Sequence, residues 1–183
     1  MKREIVVIIF TIFSTNVPIA TPNRTRPSMS LDIKQFVDTS QRIWTYETTN
    51  RTHVRCEVDK RESISRLSIT FQRSCLIDER RCDMQIQGIF DTFYKRRMTL
   101  FHRDIFRSVE TLLFLASDYS CAVLKIESLS DWDVIRYDLR VRNSVVRRKP
   151  NKSCRNFYNR IIKYQPFLTL YTADCQWVVA PFK

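Results

Sequence analysis

Cysteine and histidine are the residue types in this chain best suited to metal binding, redox chemistry or nucleophilic catalysis. There are six cysteines and two histidines among 183 residues. No two cysteines form a Cys-x-x-Cys pair, and His53 and His102 do not follow a zinc-ligand spacing, so we expect no structural zinc site. An even number of cysteines indicates a framework of disulfide bonds instead. They are Cys56, Cys75, Cys82, Cys121, Cys154 and Cys175.

The sequence lacks the residues on which most hydrolases and nucleotide-dependent enzymes rely. Gly88 is the only glycine, which excludes a glycine-rich phosphate loop, a dinucleotide-binding fingerprint and a glycine-flanked serine nucleophile. Neither histidine stands in a recognisable setting for a general base. We therefore expect a binding protein, with no catalytic residue, no cofactor and no metal, rather than an enzyme.

The beginning of the chain has the pattern of a secretory signal peptide. Two basic residues precede an apolar stretch over residues 5–13, and small or polar residues follow up to Ala20. The apolar stretch is about half as long as a membrane-spanning helix requires. We expect residues 1–20 to be the signal, residues 21–30 a flexible leader and residues 31–183 a single domain, long enough to bury a core.

Charge and glycosylation motifs describe a basic, exported protein. Lysine and arginine number 31 and aspartate and glutamate 19, a formal net charge of +12. Nucleic acid is the usual partner of so basic a chain, but export argues against it. Anionic small ligands, acidic glycans or anionic lipid surfaces fit better. Sequons at Asn23, Asn50 and Asn151 predict glycosylation, and we expect an extracellular monomer.

The order of predicted elements indicates an antiparallel barrel or sandwich. Runs rich in β-branched and aromatic residues recur at roughly 8–12-residue spacing, and some alternate with period 2, as in Leu67, Ile69 and Phe71. A short helix is predicted over residues 31–37 and a longer one over residues 150–164. The eight predicted strands are 42–47, 53–58, 66–72, 83–90, 94–102, 109–117, 121–127 and 132–141, followed by a last extended piece over 167–179.

Four short stretches occur in an order and spacing typical of one protein family. They are residues 32–36 (DIKQF), 42–46 (RIWTY), 117–126 (SDYSCAVLKI) and 171–175 (YTADC). Together with the cysteines they resemble the tick salivary lipocalins, the histamine-binding protein family, from about residue 32 to residue 175. The resemblance implies an eight-stranded antiparallel lipocalin-type barrel with a short N-terminal helix and a C-terminal helix packed outside. It also implies salivary secretion and a role in sequestering a host inflammatory mediator, which counters host defence.

The resemblance implies two disulfides, Cys56–Cys175 and Cys121–Cys154. The remaining cysteines, Cys75 and Cys82, lie between two predicted strands, where a bridge across a hairpin is geometrically allowed. If Cys121 points outward to the helix, period 2 directs the neighbouring apolar residues into the barrel and the charged ones outward. The inward residues would be Ala122, Leu124 and Ile126, and the outward ones Lys125 and Glu127.

The chain departs from the amine-binding members of this family at the residues that hold the amine. Those members show Cys-Asp-aliphatic and later Glu-Leu-aromatic, and the two acids serve the cationic amine. In this chain Ala122 replaces the first acid. Asp138 takes the position of the second acid, and Arg140 replaces the aromatic residue. If Asp138 faces the lumen, Arg136 and Arg140 face it too. Repulsion of about 4 kcal/mol per charge pair at 4 Å would then oppose an amine, whereas arginine would bind a carboxylate.

Several interpretations therefore stay open. The family favours a biogenic amine such as histamine, and the local residues favour an eicosanoid or fatty acid. Alternatively, Arg136, Asp138 and Arg140 lie at the barrel rim or form an ion-pair ladder on a solvated surface. A last alternative uses the barrel as a scaffold for binding a host protein or an anionic glycan at a basic face. That face would consist of Arg140, Arg142, Arg147, Arg148, Lys149, Lys152 and Arg155.

Aromatic and aliphatic residues complete the expected ligand contacts. Trp44 and Tyr46 share one face of the first strand; we expect Trp44 to fill the closed end and the Tyr46 hydroxyl to orient a ligand. The other expected lining residues are Phe71, Met84, Leu100 and Phe114, alongside Arg136, Asp138 and Arg140.

Overall fold

A computed structural model of the protein describes residues 31–128 and 134–179. The predicted signal peptide and leader, with the sequon at Asn23, lie outside the described residues. The elements in chain order are α1 (Ile33–Val37), β1 (Ile43–Thr48), β2 (Val54–Ile64), β3 (Ser68–Ile77), β4 (Arg80–Phe90), β5 (Arg97–His102), β6 (Ile105–Leu115), β7 (Cys121–Ser128), β8 (Val134–Arg142), α2 (Asn143–Val146), α3 (Lys152–Ile162), β9 (Leu168–Thr169) and α4 (Cys175–Val178).

The eight long strands form a closed antiparallel barrel. Strands β2 to β8 pair with their sequence neighbours, and β1 pairs with both β8 and β2. On one edge, strand β1 changes partner along its length. Ile43 and Trp44 pair with β2, whereas Glu47 and Thr48 pair with β9. Closure leaves the eight strands with few unpaired backbone groups and encloses a lumen. The predicted eight-stranded barrel is thereby confirmed.

Two hairpins have two-residue turns in which both residues adopt left-handed backbone. Asp78 and Glu79, with φ of 48° and 62°, join β3 to β4, and Arg103 and Asp104, with φ of 49° and 61°, join β5 to β6. Such turns match the right-handed twist of the strands that they connect. They lack the usual Asn-Gly signal, which explains why the sixth strand begins at Ile105 rather than at residue 109 as predicted.

One end of the barrel is closed by α1, whose side chains enter the lumen. Ile33 and Phe36 are fully buried in the inner hydrophobic cluster. The Asp32 carboxylate caps this helix by accepting a hydrogen bond from the Lys34 N–H at 2.9 Å. The guanidinium of Arg142, at the end of β8, donates to the Phe36 carbonyl at 2.8 Å. The β1–β2, β3–β4 and β5–β6 connections lie at the opposite, open end.

A second hydrophobic cluster lies outside the barrel, between the sheet and the C-terminal segment. Cys121 and Val123 of β7 belong to it, whereas Ala122, Leu124 and Ile126 belong to the inner cluster. The predicted alternation along β7 is therefore confirmed. Helix α3 covers the outer cluster with its buried residues, Cys154, Tyr158 and Ile162.

All three expected disulfides are present. Cys121–Cys154 joins β7 to α3, and Cys56–Cys175 joins β2 to α4. Cys75 and Cys82 face each other across the β3–β4 ladder, which makes their disulfide a staple of that hairpin. The segment that was predicted as extended over residues 167–179 is extended only at β9 and ends in α4, so that prediction is wrong. In the described part of the chain, no helix has the length and apolarity to cross a membrane.

Candidate ligand-binding cavity in the barrel

The lumen contains a cavity of about 280 Å³ on the side of the open end. Its apolar wall includes Met84, Ile86 and Leu100, and hydroxyl groups of several strands face it as well. This volume is near the lower limit for pockets that hold drug-sized ligands, roughly 300 Å³. The charged residues that line it are Glu57 of β2, Arg73 of β3, Arg107 of β6 and the pair Arg136 and Asp138 of β8.

Arg140 lies deeper, beneath α1, and carboxylates surround it. Its Nη1 and Nη2 donate to the two carboxylate oxygens of Glu110 at 2.9 and 2.7 Å. Nη2 also reaches Asp138 at 3.3 Å, and Nη1 reaches Asp59 at 3.4 Å. Glu110 and Arg140 are both buried. A guanidinium held in this way has no pair of donors left for the carboxylate of a ligand.

Arg73 forms the second centre of the same network. Its Nε and Nη2 donate to the two oxygens of Asp59 at 2.7 and 2.8 Å, and Nη2 lies 3.4 Å from Glu110. The guanidinium also lies 5.4 Å from the centre of the Phe71 ring, within the range of a cation–π contact. Asp59 and Glu110 thus each bridge two arginines, and the network connects β2, β3, β6 and β8.

Asp138 and Arg136 occupy the part of the network nearest the cavity. The Thr48 hydroxyl donates to Asp138 at 2.7 Å, and Nε of Arg136 lies 3.6 Å from the same carboxylate. The Asp138 side chain is buried, whereas that of Arg136 is 22% exposed. Asp138, Arg136 and Arg140 therefore face the lumen, and the alternative of a ladder on a solvated surface is wrong for the two buried ones.

Glu57 is the carboxylate that this network leaves without a direct ion pair. Its Oε1 accepts a hydrogen bond from the Thr45 hydroxyl at 2.7 Å. Among the described residues, no arginine, lysine or histidine nitrogen lies within 4.0 Å of it. Burial opposes its charged form, but Arg73, Arg136 and Arg140 outweigh burial and lower the pKa of Glu57 to about 2. An ionised carboxylate therefore lines the cavity at neutral pH.

Burial and the arginines shift the pKa values of Asp59 and Glu110 in opposite directions. Burial raises the pKa of Asp59, because its charged form loses hydration, and Arg73 and Arg140 offset only part of that cost. The two-point pairing with Arg73 is the contact that opposes this rise most directly. Burial also opposes the charged form of Glu110, but the arginines outweigh it and lower the pKa of Glu110.

The formal charges of the lumen nearly balance. Four carboxylates, Glu57, Asp59, Glu110 and Asp138, face three buried or partly buried guanidiniums, Arg73, Arg136 and Arg140. The exposed Arg107 at the rim brings the formal sum from −1 to zero. Glu57, Asp59 and Glu110 were missed at the sequence level. For two of them the sequence did contain a signal: Glu57 and Asp59 are two residues apart in β2 and therefore share a face, and Asp59 pairs with Arg73 of β3.

Phe114 lies outside the lumen that it was expected to line. Its ring stacks on Phe157 of α3, with the ring centres 4.9 Å apart. The register of β6 against β7 shifts between Leu112 and Phe114. Such a bulge adds one residue to one strand and reverses the alternation beyond it. Leu112 therefore belongs to the inner cluster and Phe114 packs against the outer one.

Trp44 and Tyr46 also face outward, so the expected positions of both are corrected. Tyr46 stacks on Tyr171 with ring centres 6.0 Å apart, and Trp44 meets the same ring edge-on at 5.0 Å. The Trp44 indole donates to the Asn143 side chain at 2.8 Å. Period 2 alone does not say which face of β1 is inside, and the face with Thr45 lines the cavity. Of the expected contacts, Met84, Leu100, Arg136 and Asp138 line the cavity, and Phe71 and Arg140 lie below it.

The predicted basic face is smaller than the sequence indicates. Arg140 is inside the barrel, Arg142 donates to carbonyls of α1, and Arg155 pairs with Glu47 at 3.6 Å. Four residues remain exposed on one segment: Arg147, Arg148, Lys149 and Lys152. Of the described sequons, Asn151 caps α3, and Asn50 lines the cavity entrance. Within the described residues, no group of three or more histidine, cysteine or acidic side chains could hold a metal ion.

Comparison with known proteins identifies the fold. No protein-family model and no curated protein sequence matches the chain. Among solved structures, a serotonin complex of AM182 matches 80% of this chain and 93% of its own, with a TM-score of 0.62 and 15% identity. Japanin from Rhipicephalus appendiculatus, bound to cholesterol, matches 72% and 91%, with a TM-score of 0.52 and 13% identity. Lobster apocrustacyanin A1 matches 73% and 77%, with a TM-score of 0.53 and 13% identity. These neighbours are lipocalins, and this chain has the lipocalin fold.

Proposed function

We propose that this protein is a secreted lipocalin that sequesters a small cationic ligand, a host biogenic amine such as serotonin or histamine, in the cavity of its barrel. The observation that carries the proposal is the Glu57 carboxylate, which lines the cavity in its ionised form and has no direct ion pair among the described residues. One ammonium group beside Glu57 would supply the ion pair that this carboxylate lacks.

The size and lining of the cavity support a compact amine. An ammonium group beside Glu57 would leave an aromatic ring against Met84, Ile86 and Leu100, which line the same cavity. The hydroxyl groups of Thr45, Thr48 and Ser108 also line it and could accept or donate hydrogen bonds. The solved structure of AM182, whose fold is similar, is a serotonin complex.

The structure gives less support to an anionic lipid ligand than Arg136 and Arg140 of β8 do when they are considered alone. The pairs of donors on Arg140 and Arg73 are engaged by Glu110 and Asp59. A ligand carboxylate would also be repelled by the ionised Glu57 carboxylate in the same cavity. A cavity of about 280 Å³ also offers little room for a long acyl chain.

Calorimetric titration of the oxidised, secreted protein tests this proposal, with serotonin and histamine in one series and leukotriene B4 and arachidonate in the other. We expect one amine per protein and no turnover. Glu57→Gln should weaken amine binding at least tenfold, because it removes one charge and keeps an acceptor for the Thr45 hydroxyl. Glu62→Gln is the matched control, since Glu62 is exposed on the same strand and its loss changes the net charge equally.

Three results would contradict the proposal. Equal effects of the two substitutions would mean that overall charge, rather than Glu57, governs binding. Binding of the eicosanoids alone would make the protein an anionic-lipid scavenger despite the Glu57 carboxylate. If neither the amines nor the eicosanoids bind, the exposed basic segment with Arg147 and Arg148 becomes the candidate site for a protein or glycan partner.

A further inference from the structure

The closed end of the barrel presents an exposed apolar surface that takes no part in the cavity. Phe93 and Tyr94, between β4 and β5, are 91% and 61% exposed, and Leu67, between β2 and β3, is 52% exposed. Exposed aromatic and aliphatic groups that lie together are uncommon on monomeric proteins and mark interaction sites. Residues 65–67 and 91–97, together with Lys34, are named the closed-end surface.

The closed-end surface is held in place by backbone hydrogen bonds. The Asp91 carboxylate accepts from the N–H groups of Phe93 and Tyr94 at 2.8 and 2.9 Å. The Lys95 carbonyl accepts from the first residue of α1 at 3.0 Å, and the Leu67 carbonyl accepts from the last residue of β4 at 2.8 Å. The two loops and the helix therefore form one scaffold, so the apolar side chains are presented by an ordered turn.

Positive charge surrounds these apolar groups. The basic residues of the closed-end surface are Lys34, Arg66, Lys95, Arg96 and Arg97, and its acidic residue is Asp91. Asp91 is engaged by the backbone of its own turn. Arg97 lies 5.9 Å from the centre of the Tyr94 ring, and Nζ of Lys34 donates to the Ser65 carbonyl at 2.7 Å. The surface therefore has a marked excess of positive charge around an aromatic tip.

We propose that the closed-end surface docks on the anionic face of a lipid bilayer. Phe93, Tyr94 and Leu67 would enter the boundary between headgroups and acyl chains, where aromatic side chains are favoured. The surrounding lysines and arginines would contact anionic headgroups, each strengthening binding about fivefold near the surface. A sulfated glycan is the poorer fit, because it would use the cations and leave Phe93 and Leu67 in water.

Docking by this end keeps the ligand cavity accessible. The cavity lies towards the open end, whose rim includes Asn50 and Arg107, whereas α1 and its covered cluster stand between it and the closed-end surface. A protein that docks in this orientation directs the mouth of its barrel into solution, where a ligand can enter the cavity. The proposal does not depend on which ligand the cavity holds.

Vesicle sedimentation of the oxidised mature protein tests the proposal. We expect binding to vesicles of phosphatidylserine and phosphatidylcholine and none to pure phosphatidylcholine. Lys95→Gln with Arg96→Gln should weaken binding roughly twenty-five-fold, from about fivefold per charge. Arg147→Gln with Arg148→Gln is the control, since it removes the same charge from an exposed segment elsewhere.

A second pair of variants tests the apolar contribution. Phe93→Ser with Tyr94→Ser should weaken vesicle binding at least tenfold, because two aromatic side chains would no longer be buried in the interface. Ile105→Ser, at the first residue of β6 beside the turn at the open end, where the side chain is 67% exposed, should have no effect. Thermal unfolding confirms that each variant is folded.

Three outcomes would overturn the proposal. If the variant with Lys95→Gln and Arg96→Gln and the variant with Arg147→Gln and Arg148→Gln weaken vesicle binding equally, the protein binds through its overall charge. Unchanged binding of the Phe93 and Tyr94 variant would remove the apolar contact. Binding to heparin beads through Lys95 and Arg96, without binding to anionic vesicles, would assign the surface to a glycan.

Discussion

Replacement of Glu110 by glutamine tests whether the buried charge network stabilises the barrel. Glu110 is fully buried on β6 and accepts both Nη groups of Arg140 at 2.9 and 2.7 Å. Glutamine has nearly the same shape but turns one acceptor into a donor, which then faces the guanidinium of Arg140. The substitution thus removes the charge that holds Arg140 and leaves the volume of the core unchanged.

The expected cost follows from what remains around Arg140. Removing one partner of a buried ion pair costs about 3–5 kcal/mol, because the other charge stays buried without compensation. Arg140 keeps Asp138 at 3.3 Å and Asp59 at 3.4 Å, so the lower limit applies, about 3 kcal/mol. For a domain of this size, such a loss lowers the melting temperature by about 6–12 °C.

Urea unfolding with the disulfides intact measures this loss, since guanidinium chloride would screen the ion pairs. Glu127→Gln serves as the control, because Glu127 pairs with Lys125 on the outer face at 2.8 Å and should cost at most about 1 kcal/mol. The apolar pair Glu110→Leu with Arg140→Met should cost less than the sum of the two single substitutions. A loss below about 1 kcal/mol for Glu110→Gln would refute the reasoning, since removing one partner of a buried ion pair typically costs about 3–5 kcal/mol.

Three further predictions follow from the same structure. Phe114→Ala should lower the free energy of unfolding by about 2–3 kcal/mol, because it removes the stack on Phe157. It should leave the affinity for amines unchanged. A tenfold loss of affinity in calorimetry would mean that Phe114 contributes to the ligand site. Glu57, whose pKa falls on folding from 4.5 to about 2, contributes stability that is present above pH 4.5 and is lost as the pH falls to about 2. Urea titrations across that range should show a loss of about 3 kcal/mol that Glu57→Gln lacks, and identical profiles would contradict the assignment. Joint replacement of Cys121 and Cys154 by serine should cost about 4 kcal/mol in the chain-entropy treatment of a bridge with a sequence separation of 33, and an unchanged urea midpoint would show that this bridge adds nothing.

Much of the framework could be predicted because it depends on local patterns. Alternation along β7 places Ala122 and Leu124 inside and Cys121 outside, as the structure shows, because successive side chains of a strand point to opposite faces. The strand count and both helices that flank the barrel were predicted from periodicity, and the disulfide pairing from the resemblance to a known family. The signal peptide, the sequons and the identity of the ligand stay predictions.

Two structural causes account for the side chains whose orientation the sequence did not predict. A register shift before Phe114 turns that side chain from the lumen to α3. Trp44 and Tyr46 share a face of β1 as the alternation predicts, but that face is the outer one, against Tyr171, and alternation alone does not say which face is inside. A bulge depends on how two strands pair, so a period read along one strand does not reveal it.

The sequence by itself indicated a basic, disulfide-linked chain whose eight strands form a barrel or a sandwich, and it placed Asp138 and Arg140 on one face of β8. Only the tertiary structure decided which acids balance the arginines inside the barrel. Strands β2 and β6 bring Asp59 and Glu110 to Arg140 from positions 81 and 30 residues away along the chain. The electrostatic potential of a lumen is a sum over all its walls, so the charges of one strand do not determine it.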